Sequence, residues 1–242
     1  MLRVVWYQRR HALQVVAGAV VLIAAGLLAV GWADRADHAF LVSNARTVAF
    51  PASVQFAIAV LFGLIGVFLG GPLLSREYEQ GTYRFAWTQG TGRLRWYAGQ
   101  INLLGGLVVL AGAATGALAN WALAPFAGPG LASGWFRAEF EAGPATTAGW
   151  ALFAFMLGVL AGALLKRVTP AMAATAVTLI LLLGWYRIFT LRISLLPNHP
   201  PWWLPTALGI GLVIVALLAG AVALLLVRNR GARTRGRRPE PE

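Results

Sequence analysis

The residues of this chain best suited to chemistry in water fall in one short segment. It runs Ser75-Arg76-Glu77-Tyr78-Glu79-Gln80-Gly81-Thr82-Tyr83-Arg84 and continues to Arg93, Arg95, Trp96 and Tyr97. Charged and aromatic side chains at this density, set between two long apolar stretches, mark a place built to touch something soluble. Other reactive groupings are sparse. His11, His38 and His199 lie far apart and lack the His-Glu-x-x-His spacing of a zinc site. Gly130-Leu131-Ala132-Ser133-Gly134 is not the Gly-x-Ser-x-Gly turn that presents a nucleophilic serine. The chain has no cysteine, so thiolate metal sites and disulfides are excluded. A phosphate-binding loop needs a lysine after its second glycine, and the single lysine, Lys166, follows Leu164-Leu165 instead. If ATP drives this protein, another polypeptide binds it, and the chain is not expected to be an enzyme itself.

Apolar residues make up 59% of the chain and charged residues 12%, with a mean hydropathy of +0.70. That balance is far from a soluble globular domain and makes lipid the solvent for most of the chain. Runs free of Asp, Glu, Lys and Arg cover about 12–32, 52–74, 98–126, 147–165, 168–186 and 202–227. Each is near or above the roughly 20 residues that cross a bilayer as a helix. Unbroken runs argue against a β-barrel, whose strands alternate apolar and polar residues. The expected fold is therefore an all-α integral membrane protein with six transmembrane helices forming a single domain over 1–227. A basic tail over 228–242, with six arginines and two prolines, has no apolar face to bury and is expected to be disordered.

The cations orient the spans. With both termini cytoplasmic, fifteen of the 20 basic residues fall on the inner side, whereas the eight acidic residues divide evenly. The bias is carried by cations alone, as the positive-inside rule expects, and places the protein in the cell inner (plasma) membrane. A net charge of +12 spread over every inner edge fits anionic lipid headgroups better than nucleic acid, which needs a compact basic domain. Before the first span, Leu2, Val5 and Trp6 share one side and Arg3, Tyr7 and Arg10 another, the pattern of a short interfacial N-terminal helix or of a simple basic flank.

The spans hold only neutral polar side chains. Gln55, Asn102, Thr115, Asn120, Thr175 and Thr178 are the candidates for lining a cavity, and each would otherwise serve as a helix-to-helix hydrogen bond; Gln14 and Gln100 complete the longer amides. Ion-coupled carriers place ionisable groups at membrane depth, so any transport here draws its energy from elsewhere. Gly66-x-x-x-Gly70, Gly112-x-x-x-Gly116 and Gly158-x-x-x-Gly162 provide small ridges for close helix approach, within the chain or across a dimer seam.

Glu77-x-Glu79-x-Gly81-Thr82 after the second span, with Thr88-Gln89 and Arg93, resembles the acidic Glu-x-Gly-Thr loop of the membrane subunits of ATP-binding-cassette (ABC) exporters of the type-2 permease family. Trp6-Tyr7-Gln8-Arg9-Arg10 is similar to the opening of many actinobacterial members, from which the chain departs at Tyr7 and, later, at Gln100. The resemblance implies a coupling helix between spans two and three that docks in a groove of an ATPase subunit. Glu77, Tyr78, Glu79, Gly81, Thr82, Tyr83 and Arg84 are then the contacts. Glu77 and Glu79 would pair with basic groups, Tyr78 would fill an apolar pocket, and Gly81 would permit a turn before Thr82 caps the next helix.

The implied partners are two copies of an ABC ATPase carrying ATP and Mg, a second six-span permease, identical or related, and membrane lipid. This chain binds no cofactor itself. The implied activity is export of an amphipathic or hydrophobic solute, such as a drug, antibiotic or lipid-like molecule, by alternating access. An ATP-independent carrier or a non-transport scaffold or assembly protein would explain the same spans without a coupled ATPase, with the charged segment reduced to a solvated hairpin.

Overall fold

Apolar runs this long satisfy their backbone groups only by closing helical hydrogen bonds, because lipid offers no partner. The computed structural model describes residues 14, 17–18, 20–29, 31–32, 49–79, 93–123, 143–193 and 204–235, and every regular element among them is helical. In chain order these are α1 (Val20–Ala29), α2 (Ala49–Ile65), a π-helical turn (Gly66–Gly70), α3 (Gly71–Glu79), α4 (Arg93–Leu123), α5 (Pro144–Leu165), α6 (Val168–Ile193) and α7 (Leu204–Arg235). Five stretches are long and apolar enough to cross a membrane: Ser53–Glu79, Tyr97–Leu123, Pro144–Leu165, Val168–Trp185 and Gly209–Arg228. Of the first expected span, α1 is described as a ten-residue apolar helix. The proposed interfacial helix before it lies outside the described residues.

Several boundaries differ from those expected. Span two does not stop at Leu74 but continues as α3 through Glu79, so the charged residues Arg76, Glu77 and Glu79 extend a helix and are not part of a loop. The last helix runs to Arg235, where the sequence led us to expect a disordered tail from residue 228. Arginine is a good helix former, and cations near a helix C-terminus complement its dipole, so nothing stops the helix at the membrane edge.

α5 is the hub. It packs against α2, the π turn, α3, α4, α6 and α7. In Pro144–Leu165, 61% of the apolar window is buried, against 17% in Val168–Trp185, so α5 sits at the centre and α6 at the rim. Hydrophobic burial gives no drive between helices in lipid, where close van der Waals packing takes over, and small residues permit it. All three small-residue motifs are used this way inside one chain. A Cβ on Gly158 would lie 2.8 Å from the Gly71 nitrogen and closer still to the Gly66 carbonyl oxygen. Gly112 and Gly116 of α4 meet the opening of α5, where added Cβ atoms would lie 2.9 Å from the Ala148 and Pro144 α-carbons.

The π turn belongs to the same seam. Gly71 N–H bonds to Gly66 O, a five-residue step, just before Pro72, whose ring would clash with the Phe68 carbonyl in a regular helix. Around the seam, Phe62, Leu73, Leu74, Leu104 and Phe155 are fully buried.

Span directions follow from these contacts. Gly66 meets Ala154 and Gly71 meets Gly162, so span two runs parallel to α5; Gly209 meets Ala145 and Gly220 meets Met156, so α7 does too. Gly105 lies by Met156 and Gly116 by Pro144, while Gly71 lies by Met172 and Gly63 by Leu179, so α4 and α6 run the opposite way. One end of the bundle therefore gathers the ends of α3, α5 and the apolar part of α7 with the starts of α4 and α6. Exposed Arg76, Lys166, Arg167 and Arg228 share that end.

Gly158→Ala should destabilise the bundle by about 1–3 kcal/mol, because backbone lies against it and cannot yield. Gly99→Ala, with nothing within 4 Å, should instead stabilise it by up to about 1 kcal/mol through helix propensity. Thermal unfolding of the two variants in one detergent checks the contrast.

Candidate functional site

The end of span two builds the most chemically structured place among the described residues. Leu73 and Leu74 anchor α3 in the core, and Ser75 is fully buried beside them. The Ser75 hydroxyl donates to Gly71 O at 2.8 Å, so this residue serves the helix and not a soluble partner. One turn on, Tyr78 is half-buried against the chain's own core and Glu77 is half-buried, while Arg76 and Glu79 are exposed.

Glu79 is engaged within the chain. Its Oε2 accepts a hydrogen bond of 3.1 Å from the backbone N–H of Val168, the first residue of α6. The first N–H groups of a helix have no partner in their own helix, and a carboxylate there also meets the positive end of the helix dipole. The bond reaches α6 because the connection from α5 is only Lys166 and Arg167. Lys166 closes α5 in a left-handed conformation, φ 57°, with its N–H on Gly162 O at 3.2 Å. A non-glycine residue held there costs roughly 1–2 kcal/mol, which the surrounding packing sustains. Arg167 O then accepts from Ala171 N at 3.2 Å, starting α6.

Of the seven expected docking residues, Glu77, Tyr78 and Glu79 are therefore on the last turn of α3, whereas Gly81, Thr82, Tyr83 and Arg84 lie outside the described residues. What sequence reasoning missed is the backbone N–H of Val168 and the turn that presents it. A charged pair, Lys166-Arg167, interrupting two apolar runs was the available signal, but nothing in the sequence aligned it with Glu79.

The six candidate cavity residues are dispersed. Gln55 is half-buried on α2; on α4, Asn102 is exposed, Thr115 buried and Asn120 half-buried; on α6, Thr175 is buried and Thr178 exposed. Thr175 and Thr178 donate to Ala171 O at 2.7 Å and Ala174 O at 2.8 Å, each within its own helix. Thr115 Oγ1 and Gln100 Oε1 are the exceptions, buried with no hydrogen-bond partner. They sit fifteen residues apart on α4, about 22 Å along its axis, and so do not form one site. No group of His, Cys, Asp or Glu among the described residues could hold a metal ion.

Comparison with known proteins bears on the same stretch. The family profile described as ABC-2 membrane transporter related matches residues 35–189, well over half of the chain. The chain belongs to this family. Its members are membrane transport components that generally work with an ABC ATPase, so the protein is a multi-pass membrane transport subunit of the ABC-2 permease type. No curated protein and no solved structure matches. The matched residues include α2 to α5, the segment from Glu77 to Arg84, and the bond between Glu79 and Val168.

Removing the unmet hydroxyl in Thr115→Val should leave the unfolding midpoint unchanged or raise stability by up to about 1 kcal/mol. Thr175→Val, which discards a bonded hydroxyl, should lower stability by about 0.5–1 kcal/mol. Parallel melts of both variants measure the difference.

Proposed function

We propose that this ABC-2 permease is the membrane subunit of an exporter. It moves an amphipathic or hydrophobic solute, drug-like, antibiotic or lipid-like, out of the cell by alternating access. The observation that carries this reading is the family match, because it encloses the whole charged segment after span two. A separate ATPase, in two copies, binds ATP and Mg and docks at Glu77, Tyr78, Glu79, Gly81, Thr82, Tyr83 and Arg84. Two six-span subunits, identical or related, enclose the pathway, since alternating access needs two bodies that move against each other.

Supporting the docking, α3 carries span two's helix outward into the cation-rich end of the bundle, so a partner there would meet a rigid extension of the span. Supporting the orientation, Arg76, Lys166, Arg167 and Arg228 share that end, which the positive-inside rule makes cytoplasmic. The neutral polar side chains of the spans fit a solute that is not strongly charged.

Glu77→Arg combined with Arg84→Glu should release the ATPase partner. Copurification from membranes should drop at least tenfold, while the permease itself remains monodisperse. Retention of the ATPase with full ATP-dependent activity would exclude this segment as the dock.

A further inference from the structure

Glu79 has a more specific task than contact with a partner. Span two and α6 share an apolar cluster that includes Val67, Leu179, Met172 and Ala176, and three contacts along this seam lie in a row. Leu179 Cδ1 faces Gly63, Met172 faces Gly71, and the Glu79 carboxylate holds the Val168 N–H. The first two are apolar packing: a Cβ on Gly63 would meet Leu179 at 3.7 Å, and one on Gly71 would meet Met172 Cγ at 3.3 Å and its backbone nitrogen at 3.6 Å. The hydrogen bond is the directional one, and it acts at the pivot, because Lys166 and Arg167 are all that separates α5 from α6.

The two sides of this pivot differ. α5 is fixed by backbone contact with span two: a Cβ on Gly162 would lie 2.5 Å from Gly71 O. α6 buries one stripe, Ala171, Thr175 and Leu179, against span two and α5, while Val177, Ile180, Leu181, Trp185 and Ile188 are exposed on its other side. A helix pinned at its N-terminus and packed along one stripe on span two follows the movement of that span.

We infer that Glu79 is a positioning residue for energy coupling. Its carboxylate clasps the N-terminus of α6, so that displacement of the end of span two swings α6 about the Lys166–Arg167 turn. The clasp is a property of the chain alone; its use in coupling rests on the docking described under Proposed function. Because the bond needs an oxygen acceptor and not a charge, Glu79→Gln should preserve it. Val168→Pro should break it from the other side, since proline is tolerated at the first position of a helix and lacks only the N–H.

The absence of cysteine allows a direct test. Nitroxides on Ala57→Cys and Leu181→Cys, both exposed, report the separation of α2 and α6 by pulsed dipolar spectroscopy on the full chain in lipid nanodiscs. One narrow distance is expected for the parent and for Glu79→Gln. Glu79→Ala and Val168→Pro should broaden it alike, and the double variant should be no broader than either, as expected for two ends of one bond. Parent-like distances in both Glu79→Ala and Val168→Pro, or unequal effects, would overturn the clasp.

In the complex with the ATPase, MgATP plus vanadate should shift the distance in the parent. The shifted fraction should fall about fivefold in Val168→Pro, the loss of one capping bond, with the ATPase still bound, because Val168 lies outside the proposed dock. A parent-like shifted fraction in Val168→Pro with the ATPase bound would mean that the coupling role is wrong. Failure of the parent chain to bind the ATPase would instead refute the proposed function, leaving the nanodisc distances to decide the clasp.

Discussion

Backbone contact between span two and α5 is the constraint on which the rest of this bundle depends. Gly66, Gly70 and Gly71 face Ala154, Phe155, Gly158 and Gly162 so closely that carbonyl oxygens of one helix occupy the space of a Cβ on the other. In lipid the helices gain nothing by hiding apolar surface from each other, so the proximity of many atoms must supply the attraction. The π turn before Pro72 is part of the same solution, because it relieves the proline clash while keeping Gly66 bonded to Gly71. With span two and α5 locked, α4 and α7 complete the packing around α5, and α6 is left at the rim.

That arrangement separates a central part from a peripheral helix, and the polar groups follow the division. Ser75, Thr175 and Thr178 return their hydroxyl protons to their own helices, which leaves their oxygens as acceptors only. Trp150, on the hub, donates its indole N–H to Ala59 O of α2 at 2.9 Å and reinforces the locked pair. Glu79 is different, because its bond crosses to the rim helix. Charge at the end of span two therefore has consequences inside the bundle as well as at its surface.

Much of this was legible from composition and pattern. Uninterrupted apolar runs gave helices and five of the span positions, because a backbone in lipid has no alternative to helical hydrogen bonding. The small-residue motifs announced close approach, and the acidic Gly-Thr segment pointed to the family that the profile match established. Boundaries were less legible. Absence of charge marks where lipid begins, but a helix continues for as long as propensity allows, which is why α3 reaches Glu79 and α7 reaches Arg235. The polar residues in the spans could not be sorted from sequence either: a threonine bonded to its own helix and one left unmet look identical until the neighbours are known.

The sequence by itself determined that the chain lives in a membrane, that charged and aromatic residues gather in one segment between apolar runs, and which family it resembles. These follow from solvent preference and short motifs, both local properties. Only the tertiary structure decided that all three glycine motifs converge on α5, that α6 has the smallest buried share among the described spans, and that Glu79 reaches Val168 across 89 positions of sequence. Each of those depends on which helices become neighbours. Neighbours are chosen by the fit of whole surfaces, and no single stretch of sequence contains both sides of that fit.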